Sequence, residues 1–150
     1  MTQARLGIWA STFFFCCCYA VDQVSPPWGF VFTEWEGSPV DVIVYIPTGA
    51  DKKTDILMVV PGASRDTQRF HASWLSFAKE DTFVVVTIGA SKKYFTDEYS
   101  YNAGNVIDPQ GNLNKKETWL FSAVEKIFNN VKTRYDLQTE RFHLFGHSAG

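Results

Sequence analysis

Arg141-Phe142-His143-Leu144-Phe145-Gly146-His147-Ser148-Ala149-Gly150 joins a short apolar stretch to a G-x-S-x-G sequence. Residues 142–145 read as an apolar interior strand, and Gly146 follows with no linker. A strand that runs straight into a sharp turn holds the serine in a strained backbone and lifts its hydroxyl clear of the sheet. The glycines two before and two after the serine admit this, because a Cβ there would strike a neighbouring strand or helix. The spacing makes Ser148 the candidate nucleophile. It also aims the backbone N–H of Ala149 at the charge that develops on an attacked carbonyl.

The chain leading to this turn has the pattern of an α/β domain. Residues 29–35 and 40–46 alternate with period 2 around Glu36-Gly37-Ser38-Pro39, which predicts an antiparallel hairpin. Residues 56–60 and 83–88 are nearly unbroken apolar runs, as expected of strands buried on both faces. A helix predicted over 67–79, with Phe70, Trp74, Leu75 and Ala78 at helical spacing, turns these two into a parallel crossover. A second helix is predicted over 117–134, where Trp119, Leu120, Ala123, Val124, Ile127, Phe128 and Val131 form one stripe. Glu117 near its start and Lys132 and Arg134 near its end suit the helix dipole. Residues 90–116 form a long polar loop with a turn at Asp108-Pro109-Gln110-Gly111-Asn112. It reads either as a functional loop or as an exposed hairpin.

From residue 56 to residue 150 the chain resembles the α/β-hydrolase superfamily, in particular its secreted esterase and polyester-depolymerase-like members. The resemblance is carried by the elbow at residues 146–150 and by Pro61-Gly62-Ala63-Ser64 after the strand at 56–60. Tyr101-Asn102-Ala103-Gly104-Asn105-Val106 and Trp119-Leu120-Phe121 also match, without an assigned chemical role. Pro61 stands where those enzymes have the histidine of a His-Gly oxyanion loop. The resemblance implies a serine hydrolase in which Ser148 attacks a carboxylic ester. The N–H of Ala63, with Ser64 as the alternative, would join that of Ala149 in the oxyanion hole. It implies a small-molecule or polymeric ester as substrate and neither cofactor nor metal. In this superfamily the acid and the histidine of the triad follow the serine along the chain. The sequence is therefore expected to be the N-terminal part of an incomplete domain, truncated after the elbow strand and inactive as it stands. Two other readings stay open: a serine peptidase of the same fold, and a non-catalytic secreted α/β binding module.

The histidines offer no base. His147 adjoins Ser148, and neighbouring side chains in a tight turn diverge. His143 and His147 are separated by strand and turn, which removes the helical spacing of a metal pair. His71 is expected on a helix surface.

Residues 1–20 have one charge, Arg5, then an apolar run closing on Cys18-Tyr19-Ala20, the pattern of a secretory signal peptide cut after Ala20. An uncleaved anchor and a core helix are the alternatives. As a helix, residues 6–21 would reach about 24 Å against roughly 30 Å of hydrocarbon. The organisation expected is a signal at 1–20 and hydrolase residues at 21–150, secreted or periplasmic, with no stable membrane insertion after cleavage. Cys16, Cys17 and Cys18 all lie in the apolar run, and a contiguous triplet suggests neither a disulfide framework nor a metal site. The 150 residues are 45% apolar with a net charge of −2, which fits one globular domain and excludes disorder. With 14 basic residues against 16 acidic ones, no basic face for nucleic acid is expected.

Overall fold

The computed structural model describes residues 28–150, so the expected signal peptide and the leader after it lie outside the described residues. Five strands form one mixed sheet in the order β1-β2-β4-β3-β5. They are β1 (Trp28–Phe32), β2 (Val40–Tyr45), β3 (Ile56–Val60), β4 (Val84–Gly89) and β5 (His143–Gly146). β1 and β2 make an antiparallel hairpin, β2 meets β4 antiparallel, and β3 lies parallel between β4 and β5. The fold class is the α/β one expected, a hairpin followed by parallel strands with crossover helices. Val59 pairs with Thr87 and Val60 with Gly146, so the C-terminal ends of the three parallel strands lie side by side. Open α/β sheets present their ligand sites at that edge.

Helices cover both faces. α3 (Leu120–Arg134) packs Ala123, Val124, Ile127, Phe128 and Val131 on Ile56, Met58, Val84 and Val86. On the other face Val59 and Val85 meet α1 (Thr67–Ala72) and α2 (Leu75–Asp81) through Phe70, Trp74 and Ala78. Successive residues of β3 and β4 thus point into two cores, which is why those segments are apolar without alternation.

Several boundaries differ from the sequence expectation. The first strand ends at Phe32, and Trp35 instead folds back over the turn, its indole N–H donating to the Ser38 carbonyl at 2.9 Å. The helix expected over 67–79 is two helices. At the break the Ser73 hydroxyl donates to the Phe70 carbonyl (2.8 Å), and the Trp74 amide bonds three residues back to His71 (3.1 Å). That tightening turns the second helix relative to the first. The helix expected from 117 starts at Leu120, after a 3-10 turn at Lys116–Thr118, because Trp119 is extended (ψ 140°). β5 starts at His143, one residue later than expected, and it pairs only with β3 among the described strands, with Leu144 51% exposed. His71, expected on a helix surface, is 1% exposed. With α1 only six residues long, its register puts His71 against β4, where Nδ1 lies 2.9 Å from the Thr87 hydroxyl. The long loop is a hairpin in one part and core packing in another. Ile107 and Leu113 form an antiparallel bridge around the Asp108 turn, whereas Phe95 and Tyr101 are buried in the core.

Candidate active site

The turn after β5 is closed by a hydrogen bond from the Gly150 amide to the His147 carbonyl (2.9 Å) and anchored by one from the His147 amide to Val60 (3.3 Å). Within it Ser148 has φ +56°, the left-handed region that an L-residue adopts at a cost of about 1–2 kcal/mol. Gly146 and Gly150 are required here. A Cβ on Gly146 would run into the Gly150 carbonyl, and one on Gly150 into the carbonyls of Val60 and Pro61. Ser148 is exposed at the C-terminal edge of the sheet, and Ala149 is half-buried against the main core.

The loop after β3 lies directly alongside. A Cβ on Gly62 would sit 2.8 Å from His147 Nδ1, 2.9 Å from the His147 carbonyl and 3.4 Å from Ser148 Cβ. Only a glycine lets the two turns approach so closely. Residues 62–65 form a second turn, the Arg65 amide donating to the Gly62 carbonyl at 2.8 Å, with Ala63 and Ser64 exposed. The loop after β3 thus touches the serine turn at Gly62, and Ala63 is the next residue along it. Beside Ser148 and Ala149 is an apolar hollow of about 270 Å³ lined by residues that include Tyr101, Phe121, Val124, Leu144 and Ser148.

The fold is shared with solved structures. Poly(aspartic acid) hydrolase-1 from Sphingomonas sp. KT-1 superposes with a TM-score of 0.79 at 33% identity, over 83% of this chain and 47% of that one. The poly(3-hydroxybutyrate) depolymerase LpqC from Bordetella parapertussis gives a TM-score of 0.75 at 22% identity, over 84% and 44%. The fold is that of the α/β-hydrolases. A thermostable esterase shares it more distantly, with a TM-score of 0.59 at 15% identity over 83% of this chain and 35% of that one. No protein-family model matches the sequence, and no curated protein matches it. The chain spans about half the length of the first two solved proteins, 47% and 44%.

In this α/β-hydrolase fold none of the three histidines is placed as the base for Ser148. His71 is buried against Thr87 with Nε2 unpartnered, and burial pushes it down to about 4, so it is neutral. His143 lies near the N-terminal end of β3, opposite Leu57, and lines a hollow there with Asp55 and Asp81. The His147 ring packs on Phe70, with ring centres 5.2 Å apart. Among the described residues no group of three or more His, Cys, Asp or Glu side chains is gathered as a metal site, and no helix is long and apolar enough to cross a membrane.

Sequence reasoning missed two residues at this site. Arg65, also at positive φ (+58°), sends its guanidinium to the carbonyls of Ala90 (3.2 Å) and Phe95 (2.5 Å). Its Cζ lies 3.8 Å from the centre of the Tyr101 ring, and the buried Tyr101 hydroxyl donates to the Pro61 carbonyl. Burial lowers the Arg65 pKa and raises that of Tyr101. The motif Tyr101-Asn102-Ala103-Gly104-Asn105-Val106 was the available signal. Its framework role is now visible: the Leu120 amide donates to Gly104 (2.8 Å), and the Asn105 side-chain amide to Thr118 (2.9 Å).

Proposed function

We propose that the chain carries the nucleophile and oxyanion hole of a serine hydrolase acting on carboxylic esters. The observation that carries this reading is Ser148 at φ +56° between two sterically required glycines, at the C-terminal edge of the sheet. The Ser148 oxygen attacks the ester carbonyl, and the N–H groups of Ala63 and Ala149 receive the oxyanion. Collapse of the tetrahedral species releases the alcohol and leaves an acyl-serine, which water then cleaves. A general base must take the Ser148 proton, and His71, His143 and His147 do not hold that place. No cofactor enters the scheme.

A second reading draws on the 33% identity to a poly(aspartic acid) hydrolase, whose named substrate is an amide-linked polymer. Under it the same serine acylates by expelling an amine.

The decisive experiment uses the full-length protein with a serine-directed phosphonate, p-nitrophenyl acyl esters and poly(aspartic acid). The expected result is a single label on Ser148, lost in Ser148→Ala, with kcat reduced on the order of 10⁶-fold and the circular dichroism spectrum unchanged. Turnover of Ser148→Ala within tenfold of the parent would overturn the assignment. Cleavage of poly(aspartic acid) but not of esters would select the amide reading, and a folded protein with neither label nor turnover would leave a binding module. We further propose that residues 1–20 are a cleaved export signal. N-terminal sequencing of exported protein should begin at Val21, and an intact Met1 in the soluble exported fraction would refute it.

A further inference from the structure

We propose that Arg65 and Tyr101 are a positioning pair that sets the direction of the Ala63 N–H, and so presets the oxyanion hole opposite Ser148. The inference rests on the reading of Ser148 as nucleophile and goes beyond it, to residues that act through the Gly62–Arg65 turn.

The Gly62 carbonyl and the Ala63 N–H belong to the same trans peptide and point in opposite directions. The Gly62 carbonyl is bound inside the turn by the Arg65 amide at 2.8 Å. The Ala63 N–H is therefore directed out of the turn. A flip of this peptide would break that bond and turn the carbonyl oxygen toward the attacking site. Two contacts oppose the flip. The Tyr101 hydroxyl holds the preceding carbonyl, that of Pro61. Arg65 is kept at φ +58° by its guanidinium, whose Nη1 donates to the carbonyls of both Ala90 and Phe95 and whose face is stacked on the Tyr101 ring. The four parts close a ring: Pro61, the turn to Arg65, the guanidinium, and Tyr101 back to Pro61. An arginine suits this place because one terminal nitrogen can reach two carbonyls while its planar face rests on an aromatic ring.

The loop that supplies Ala90, Phe95 and Tyr101 follows β4, whereas the turn it steadies follows β3. Gly62 packs directly on His147 and Ser148, so any shift of the turn is felt at the serine.

The test is Tyr101→Phe in the full-length protein, which deletes the hydroxyl and keeps the ring under Arg65. A mis-aimed oxyanion donor weakens transition-state binding more than substrate binding. The expected result is a fall in kcat of about tenfold to a hundredfold, below the 10²–10³ of losing a donor outright, with KM changed less than twofold. In uniformly ¹⁵N-labelled protein the amide of residue 65, whose bond to the Gly62 carbonyl a flip would break, should exchange faster with solvent. Unchanged kcat and unchanged residue-65 exchange in a folded variant would overturn the proposal, as would a loss of thermal stability with kcat per labelled serine intact. If Tyr101→Phe does not fold, Arg65→Lys decides by the same two readouts, since it keeps the charge and loses the guanidinium plane stacked on Tyr101. A parent that neither turns over ester nor reacts at Ser148 is a failure of the functional reading instead. The residue-65 exchange rate then judges the pair on its own.

Discussion

His71 places a titratable ring where water does not reach. Its Nδ1 meets Thr87, its Nε2 has no partner, and burial pushes its pKa from 6.5 down to about 4. Below about pH 6.5 the unfolded chain binds a proton on this ring, and the folded chain does not until about pH 4. The folded state is therefore favoured above pH 6.5 and loses that advantage as pH falls toward 4, by about 3 kcal/mol in all. Urea unfolding at pH 7.5 and pH 4.5 checks this. The parent should lose roughly 2 kcal/mol or more that His71→Asn does not lose. An equal loss in both proteins would assign the acid sensitivity to other groups. At Ser148 the sequence was legible because a strained turn demands glycine at two fixed offsets. His71 was not, because a helix face is assigned from a continuous period and this period is broken two residues later.

The break between α1 and α2 has a structural consequence of its own. It turns Trp74 onto β5, where its ring meets Phe145 edge-on at 5.0 Å between centres, with Phe77 at 6.0 Å on its other side. β5 has β3 as its one described neighbour and is four residues long, so this aromatic contact is a large part of what holds it down. Trp74→Ala should cost about 2–3 kcal/mol, less than a fully buried tryptophan because the ring is half-exposed. The measure is chemical denaturation, with the amides of β5 followed by hydrogen exchange. A loss below ~0.5 kcal/mol would show that pairing with β3 suffices. The helix and strand patterns read from sequence survive at this scale, while their ends move. Trp35 and Trp119 were counted as element residues and act instead at the corners, where each indole N–H caps a loop carbonyl.

Across the whole molecule stability should fall outward from the middle of the sheet. β4 lies between β2 and β3, with Val84, Val85, Val86, Thr87 and Ile88 all without solvent exposure, whereas β1 pairs on one side and exposes Val31. Local opening is expected where few apolar contacts must break. Native-state hydrogen exchange should find the slowest amides in β3 and β4 and the fastest strand amides in β1. Equal protection in β1 and β4 would mean that the sheet opens only as a unit.

The sequence by itself determined the alternation of strands and helices, the parallel centre of the sheet, and the position of Ser148 just beyond a strand. These features are local and periodic: an apolar run of strand length or a stripe every 3.6 residues carries its meaning wherever it sits. What only the tertiary structure decided is who meets whom at the edge. Arg65 and Phe95 are 30 residues apart, and Tyr101 and Pro61 are 40 apart, in loops whose residues have no period. Their meeting depends on the strand order, which seats β4 beside β3 and so brings the two following loops to the same end. No spacing along the chain records that order, because it is set by which faces can be buried together.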